Sequence, residues 1–183
     1  KSKKFNKQFI TKHNRGGKGL GVKYFKNTLD LEKYVNESFE ESVDGITLLQ
    51  EYINSDPKVI TRVEFVKGKF LYAVQVDASN GFELCPADSC NTREKFCPTN
   101  PDGNKFMIIK DYKNIEIEKY ENLLKSNGIE IAGIEYIKDK DGTHYTYDIN
   151  TNTNYNPIAE ERSNIKGMDS IANFLYNELS RQN

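Results

Sequence analysis

Lys12-His13-Asn14-Arg15-Gly16-Gly17-Lys18-Gly19-Leu20-Gly21-Val22 places four of the chain's 12 glycines within six residues. An apolar, β-prone segment precedes it (Phe9-Ile10-Thr11) and another follows (Val22-Lys23-Tyr24-Phe25). That pattern reads as strand, glycine-rich turn, strand. Glycine admits positive φ and lets a backbone approach a ligand closely. Successive free N–H groups in such a loop can line an anion site, and Lys12, Arg15 and Lys18 add positive charge around it. The stretch therefore reads as a loop over phosphates. The plain alternative is a flexible hairpin tip with scattered cations. Walker spacing is absent, since no Lys-Ser or Lys-Thr follows, and the order Gly17-x-Gly19-x-Gly21 is not the G-x-G-x-x-G of dinucleotide folds or protein kinases.

Working outward, residues 7–13 and 20–26 are expected as the flanking strands. An amphipathic helix is expected over 29–41, with Thr28 as N-cap and Leu31, Tyr34, Val35 and Phe39 at helical spacing. Ile46 to Ile53 is a short apolar strand, and Asn54-Ser55-Asp56-Pro57 breaks the chain. A lobe boundary is placed there, giving a small lobe over 1–55 and a large one over 56–183. Residues 58–66 and 69–77 read as a hairpin around Lys67-Gly68, with Arg62 and Glu64 on one face. The segment 78–114 is irregular. A helix is expected over 115–127, closed by Gly128 at C′. Strands follow over 130–138 and 143–150, then a last helix near 168–181 with Met168, Ile171, Ala172, Leu175 and Leu179 on one stripe.

Composition limits the function classes. With 21 Tyr and Phe residues the chain is too aromatic for a disordered one. A net charge of −1 argues against generic binding to nucleic acid or membrane surfaces. No apolar run approaches spanning length and no secretory leader is visible. Cys85, Cys90 and Cys97 are an odd set in C-x4-C-x6-C spacing, which matches no standard zinc pattern. Reduced thiols in a cytoplasmic protein are expected.

Asp141-Gly142 is a two-residue hairpin signal. With that turn, Lys140 pairs with Thr143 and Glu135 falls directly opposite Asp148. Opposed side chains have Cβ atoms ~4.5–5.5 Å apart, and like charges there are destabilising. Asn150 shares the face of Asp148. Two carboxylates and an amide oxygen are hard ligands suited to Mg²⁺, which would remove the repulsion. A one-residue slip in register would abolish the arrangement.

A cationic glycine loop, a strand ending Gln50-Glu51-Tyr52-Ile53, then two acids and an Asn on a late hairpin resemble, in that order, the ATP-grasp superfamily. The likeness is nearest to the amino-acid and peptide ligases that include the glutamate ligases modifying ribosomal proteins. It runs from about residue 9 to 181 and leaves 82–114 unplaced. It implies an α+β fold, two lobes with nucleotide bound between two antiparallel sheets. It implies ATP and Mg²⁺ (or Mn²⁺) as cofactors, with small-molecule or peptide carboxylate and amine substrates. No nucleic acid or membrane partner is implied, and self-association is left open. By this resemblance Lys12 contacts the nucleotide, Gly16, Gly17, Lys18, Gly19 and Gly21 form the flap over the phosphates, and Gln50, Glu51, Tyr52 and Ile53 form the adenine hinge. Arg62 faces the phosphates and, with Lys12, offsets charge in catalysis. Glu135, Asp148 and Asn150 hold the metal. Arg93 and Arg162 are candidates for a substrate carboxylate, each with a surface salt bridge as its plain alternative.

The sequence departs from the family in three places. Relatives carry an earlier domain with a further nucleotide-touching lysine, and the stretch at hand reads as starting after it. Several relatives have a ribose-binding acid where this chain has Ile60. Where relatives often place Pro-Gly after the metal Asn, this chain reads Asn150-Thr151-Asn152-Thr153-Asn154-Tyr155-Asn156-Pro157. The implied reaction is ATP-dependent carboxylate–amine ligation through an acyl phosphate. The alternatives are a nucleotide-binding module without stand-alone catalysis, a small-molecule kinase, and a zinc domain built on the cysteines.

Overall fold

The computed structural model describes residues 7–16, 21–55, 58–78 and 106–181. They form two antiparallel sheets in an α+β arrangement, and they divide into two compact units, one up to residue 54 and one from 55 on.

In the first unit the strand order is β2-β1-β3, with β1 at Phe9–His13, β2 at Lys23–Phe25 and β3 at Thr47–Glu51. Helix α1 spans Thr28–Glu37. Its cap is Asn27, one residue before the expected Thr28. The Asn27 Oδ1 accepts from the Asp30 N–H at 3.0 Å, a donor a helix start leaves unmet. The helix also stops at 37, short of the expected 41. The core here is aromatic. Phe9, fully buried, stacks on Phe25 at 5.6 Å, and Phe25 meets Tyr34 of α1 at 5.5 Å.

The second unit is a five-stranded sheet in the order β6-β5-β4-β7-β8. Strands β4 (Val59–Val66) and β5 (Lys69–Asp77) join at the tight Lys67-Gly68 turn. Strands β7 (Ile131–Lys138) and β8 (His144–Asn150) form the second hairpin, and β6 (Phe106–Ile108) pairs with β5. Alternation gives the sheet two unlike faces. Val63, Phe65, Ala73, Ala132, Ile134 and Tyr136 point to one, where Tyr120 and Leu124 of helix α2 (Glu116–Ser126) close the core. The other face carries Arg62, Glu64, Glu135, Asp148 and Asn150.

Helix α2 ends in a Schellman motif. The Ile129 N–H donates to the Leu124 carbonyl at 2.9 Å and the Gly128 N–H to the Lys125 carbonyl at 3.3 Å, with Gly128 at φ +64°. Helix α3 (Pro157–Ser163), which the sequence reading lacked, starts with Asn156 as cap and proline in its first turn. Helix α4 spans Gly167–Ser180 and departs from the expected stripe. It buries Phe174 and Gly167, whereas Met168, Leu175 and Leu179 are exposed. None of the described helices is long and apolar enough to cross a membrane.

Candidate functional site

The first unit brings Lys12, Gln50 and Tyr52 to one sheet face and leaves Glu51 on the other. Lys12 pairs with Leu48, and Ile10 pairs with both Gln50 and Tyr24, so these side chains share a side, while α1 packs on the other through Phe25. Tyr52 follows in the same alternation and meets the Tyr24 ring edge-on at 4.9 Å. Its N–H donates to the Gln8 carbonyl at 3.0 Å, and Glu51 is held by Lys7 Nζ at 2.7 Å. Ile53 is half-buried just beyond the strand.

The described ends of the glycine loop are Gly16, exposed, and Gly21 at φ +76°. A Cβ at 21 would fall 2.7 Å from the His13 ring, so glycine is needed there for space as well as for conformation. His13 Nε2 lies 3.2 Å from the Glu40 carbonyl. Beside it, Asp44 accepts from Ser42 Oγ at 2.6 Å, Asn14 Nδ2 at 2.8 Å and the Ile46 N–H at 3.1 Å. These bonds, Ser42's first, hold its carboxyl down at about 2. Gly17, Lys18, Gly19 and Arg93 lie outside the described residues, as do the three cysteines.

In the second unit, Arg62 stands opposite Glu135 on β7, and Glu135 stands opposite Asp148 on β8. One residue row away, Glu64 faces Gly133, which faces Asn150. The expected neighbours are thus together, but the expected turn is not what aligns them. The hairpin loop is longer than two residues: the Asp139 N–H donates to the Thr143 carbonyl and the Gly142 N–H to the Asp139 carbonyl, each at 3.0 Å. The first strand pair is Lys138 with His144, a slip of one from the expected register. A β-bulge then inserts Tyr147 between Thr146, opposite Tyr136, and Asp148, opposite Glu135. In an even register with no bulge, Tyr147 would take the place opposite Glu135, and Asp148 would sit opposite Ile134 and turn to the core face.

Around the acid pair is a buried network. The Arg62 Nε lies 2.6 Å from Glu64 Oε1 and its Nη1 3.6 Å from Glu135 Oε1. The Nε–H does not point along the short contact, so it is an ion pair and no directed hydrogen bond. Arg62 Nη2 also donates to Thr153 Oγ1, which donates to Glu64 Oε2 at 2.8 Å. Glu64 is 1% exposed. Burial pushes its carboxyl up, against the downward pull of the Arg62 charge and the Thr153 hydroxyl. Tyr147 Oη donates to Glu135 Oε2 at 2.9 Å, and burial followed by the Glu135 charge pushes that phenol well up. Gly133 makes room for the pair: a Cβ there would lie 2.6 Å from Arg62 Nε and 2.9 Å from Glu64 Oε2.

Beyond Asn150 the chain folds back over this face. Asn150 Oδ1 accepts from the Asn152 N–H at 2.8 Å, an Asx turn that places Thr153 in the network. Tyr155 meets the Tyr72 ring at 5.9 Å, and Tyr72 Oη donates to Glu160 Oε1 at 2.8 Å. Glu160 also accepts the first N–H of α4, from Gly167, at 3.0 Å. Arg162 is exposed in the last turn of α3. Glu64, Gly133, Tyr147 and Thr153 are the members that sequence reasoning missed. Only Glu64 carried a signal, its alternation with Arg62.

This architecture is similar to solved structures of ligases and a synthetase. With the D-cycloserine synthetase DcsG the TM-score is 0.63 at 14% identity, covering 96% of this chain and 57% of that one. With the ATP-grasp ligase PsnB, solved with a precursor variant, Mg and ADP, it is 0.59 at 14% identity, over 94% of this chain and 46% of that one. The fold is the ATP-grasp fold. The D-alanine–D-alanine ligase from Bacillus anthracis, solved with ATP, shares it at a TM-score of 0.54 and 14% identity, over 95% of this chain and 52% of that one. The chain thus spans about half the length of these ATP-grasp structures. No family model and no curated protein matches its sequence.

The donor set on the ATP-grasp sheet fits a hard cation. Glu135, Asp148 and Asn150 offer oxygen donors, and two carboxylates, Glu64 and Glu135, flank the Arg62 guanidinium. Among the described residues no group of three or more His, Cys, Asp or Glu side chains is placed to hold a metal.

Proposed function

We propose that this chain is the nucleotide-binding part of an ATP- and Mg²⁺-dependent ligase that joins a carboxylate to an amine. The observation that carries the reading is the directly opposed pair Glu135 and Asp148 beside Arg62, on one face of an ATP-grasp sheet. Further support comes from its neighbours in fold, ligases solved with ATP or with Mg and ADP. On this reading the amide and backbone groups of Gln50–Ile53 hydrogen-bond the adenine, beside the Tyr24–Tyr52 ring pair. Lys12 and the glycine loop take the phosphates. Glu135, Asp148 and Asn150 would hold Mg²⁺, which would supply positive charge against that of the phosphates. Arg62 neutralises charge that develops on the transferred phosphoryl group.

The γ-phosphoryl group passes to a carboxylate oxygen of the acid and ADP leaves. The amine nitrogen then attacks the acyl carbon, phosphate departs, and the amine gives up a proton. The flap keeps out water that would hydrolyse the acyl phosphate. The acid is an amino acid or peptide, and Arg162 and Arg93 are the candidates to hold its carboxylate. Calorimetric titration of ATP into the chain, with and without Mg²⁺, tests the first half. Binding that Mg²⁺ strengthens, with that gain lost in Glu135→Gln, is expected; an equal gain from Mg²⁺ in the variant overturns the metal assignment. Screening amino acids for ADP release then separates a ligase from a module that binds without turnover.

A further inference from the structure

Tyr147 has two properties that bear on the proposed cation site. It is the extra residue of the β8 bulge, so it lies beside Asp148 while leaving Asp148 opposite Glu135. Its hydroxyl donates to Glu135 Oε2 at 2.9 Å, while the other oxygen, Oε1, is turned to Arg62 at 3.6 Å. The two carboxylate oxygens are therefore held by different partners on different strands, which fixes the carboxylate plane. The two partners differ in charge. A guanidinium cancels the negative charge that a cation needs, whereas a phenol orients the carboxylate and leaves that charge in place. Groups that orient a ligand from behind typically change metal affinity 10- to 100-fold when removed.

We infer that Tyr147 is a positioning residue for the cation site, holding Glu135 by its hydroxyl in the orientation that binds Mg²⁺. The inference rests on the proposed function, and the test separates the two. Tyr147→Phe keeps the ring and the bulge and removes one oxygen. In the full chain, the Mg²⁺ concentration that half-saturates ATP binding is measured for wild type, Tyr147→Phe and Glu135→Gln, with Mn²⁺ titration followed by electron paramagnetic resonance as a direct readout of the ion. The expected result for Tyr147→Phe is a rise of about tenfold or more in both midpoints, with ATP binding in the absence of metal and the melting temperature little changed. A purely structural role would instead move the melting temperature and metal-free ATP binding together, and that result overturns the inference. Unchanged midpoints in Tyr147→Phe, with metal dependence lost in Glu135→Gln, overturn it while the proposed function stands. Metal dependence that survives Glu135→Gln removes both.

Discussion

At the scale of single residues, one guanidinium serves two of the acids on the polar face of the large sheet. Arg62 is within 4 Å of both Glu64 and Glu135, and Gly133 is what lets it reach them. Gly133→Ala places a methyl where Arg62 Nε and Glu64 Oε2 now lie. The expected cost is about 1–3 kcal/mol of stability from overpacking, read as a lowered urea midpoint, with weakened Mg²⁺-dependent ATP binding because Arg62 must move. Wild-type behaviour would mean that the pair relaxes freely. Asp44 in the other unit gives a pH signature. Its carboxyl is held at about 2 against an ordinary 3.8, so the bonds from Ser42 and Asn14 stabilise the fold above pH ~4 and lose that effect as pH falls toward 2. The melting-temperature gap between wild type and Asp44→Asn is expected to be widest above that window and to close at its acid end.

At the scale of elements, local sequence signals succeeded where the backbone alone sets the outcome. Gly128 was readable as a helix stop because a left-handed residue there completes two N–H to carbonyl bonds. Nothing lies within 4 Å of its would-be Cβ, so Gly128→Ala isolates the conformational cost, about 1–2 kcal/mol for an L-residue in the left-handed region. Thermal melts of that variant measure it directly. Signals failed where packing or competition decides. Asn27 outranked Thr28 as cap, asparagine being the stronger capping residue, and its Oδ1 accepts the Asp30 N–H three residues on. The stripe on α4 was periodic in sequence, yet the helix turned Phe174 inward and left Met168 and Leu175 outside. The Asn156-Pro157 start of α3 was a legible signal, a cap followed by proline, passed over amid the run of Asn and Thr.

At the scale of the whole molecule, the order of features along the chain was enough to name the fold. The glycine stretch, the short strand ending at Ile53 and the late acidic hairpin are each weak alone, and their sequence order is what few folds share. The acid pair was also legible, although by a route the structure corrects. The two-residue turn does not form, and the pairing of Glu135 with Asp148 is restored by the bulge at Tyr147. Alternation rules assume one residue per step and so cannot foresee an inserted one. Thr153 was out of reach for another reason. It is separated from Glu64 by 89 positions, and only the fold-back after Asn150 brings their side chains together.

The bulge also sets which changes in the length of this strand keep Asp148 opposite Glu135. Loss of the codon for residue 147 would join Thr146 to the residue opposite Glu135 with no change of partner, so the pleat would run on evenly and Asp148 would keep its place. Loss of a codon from the outer part of the strand would leave the bulge intact and shift everything on its loop side instead. Deletions in this hairpin are therefore not equivalent by position: Tyr147 marks the point at which the strand can be shortened by one while the acids stay in step.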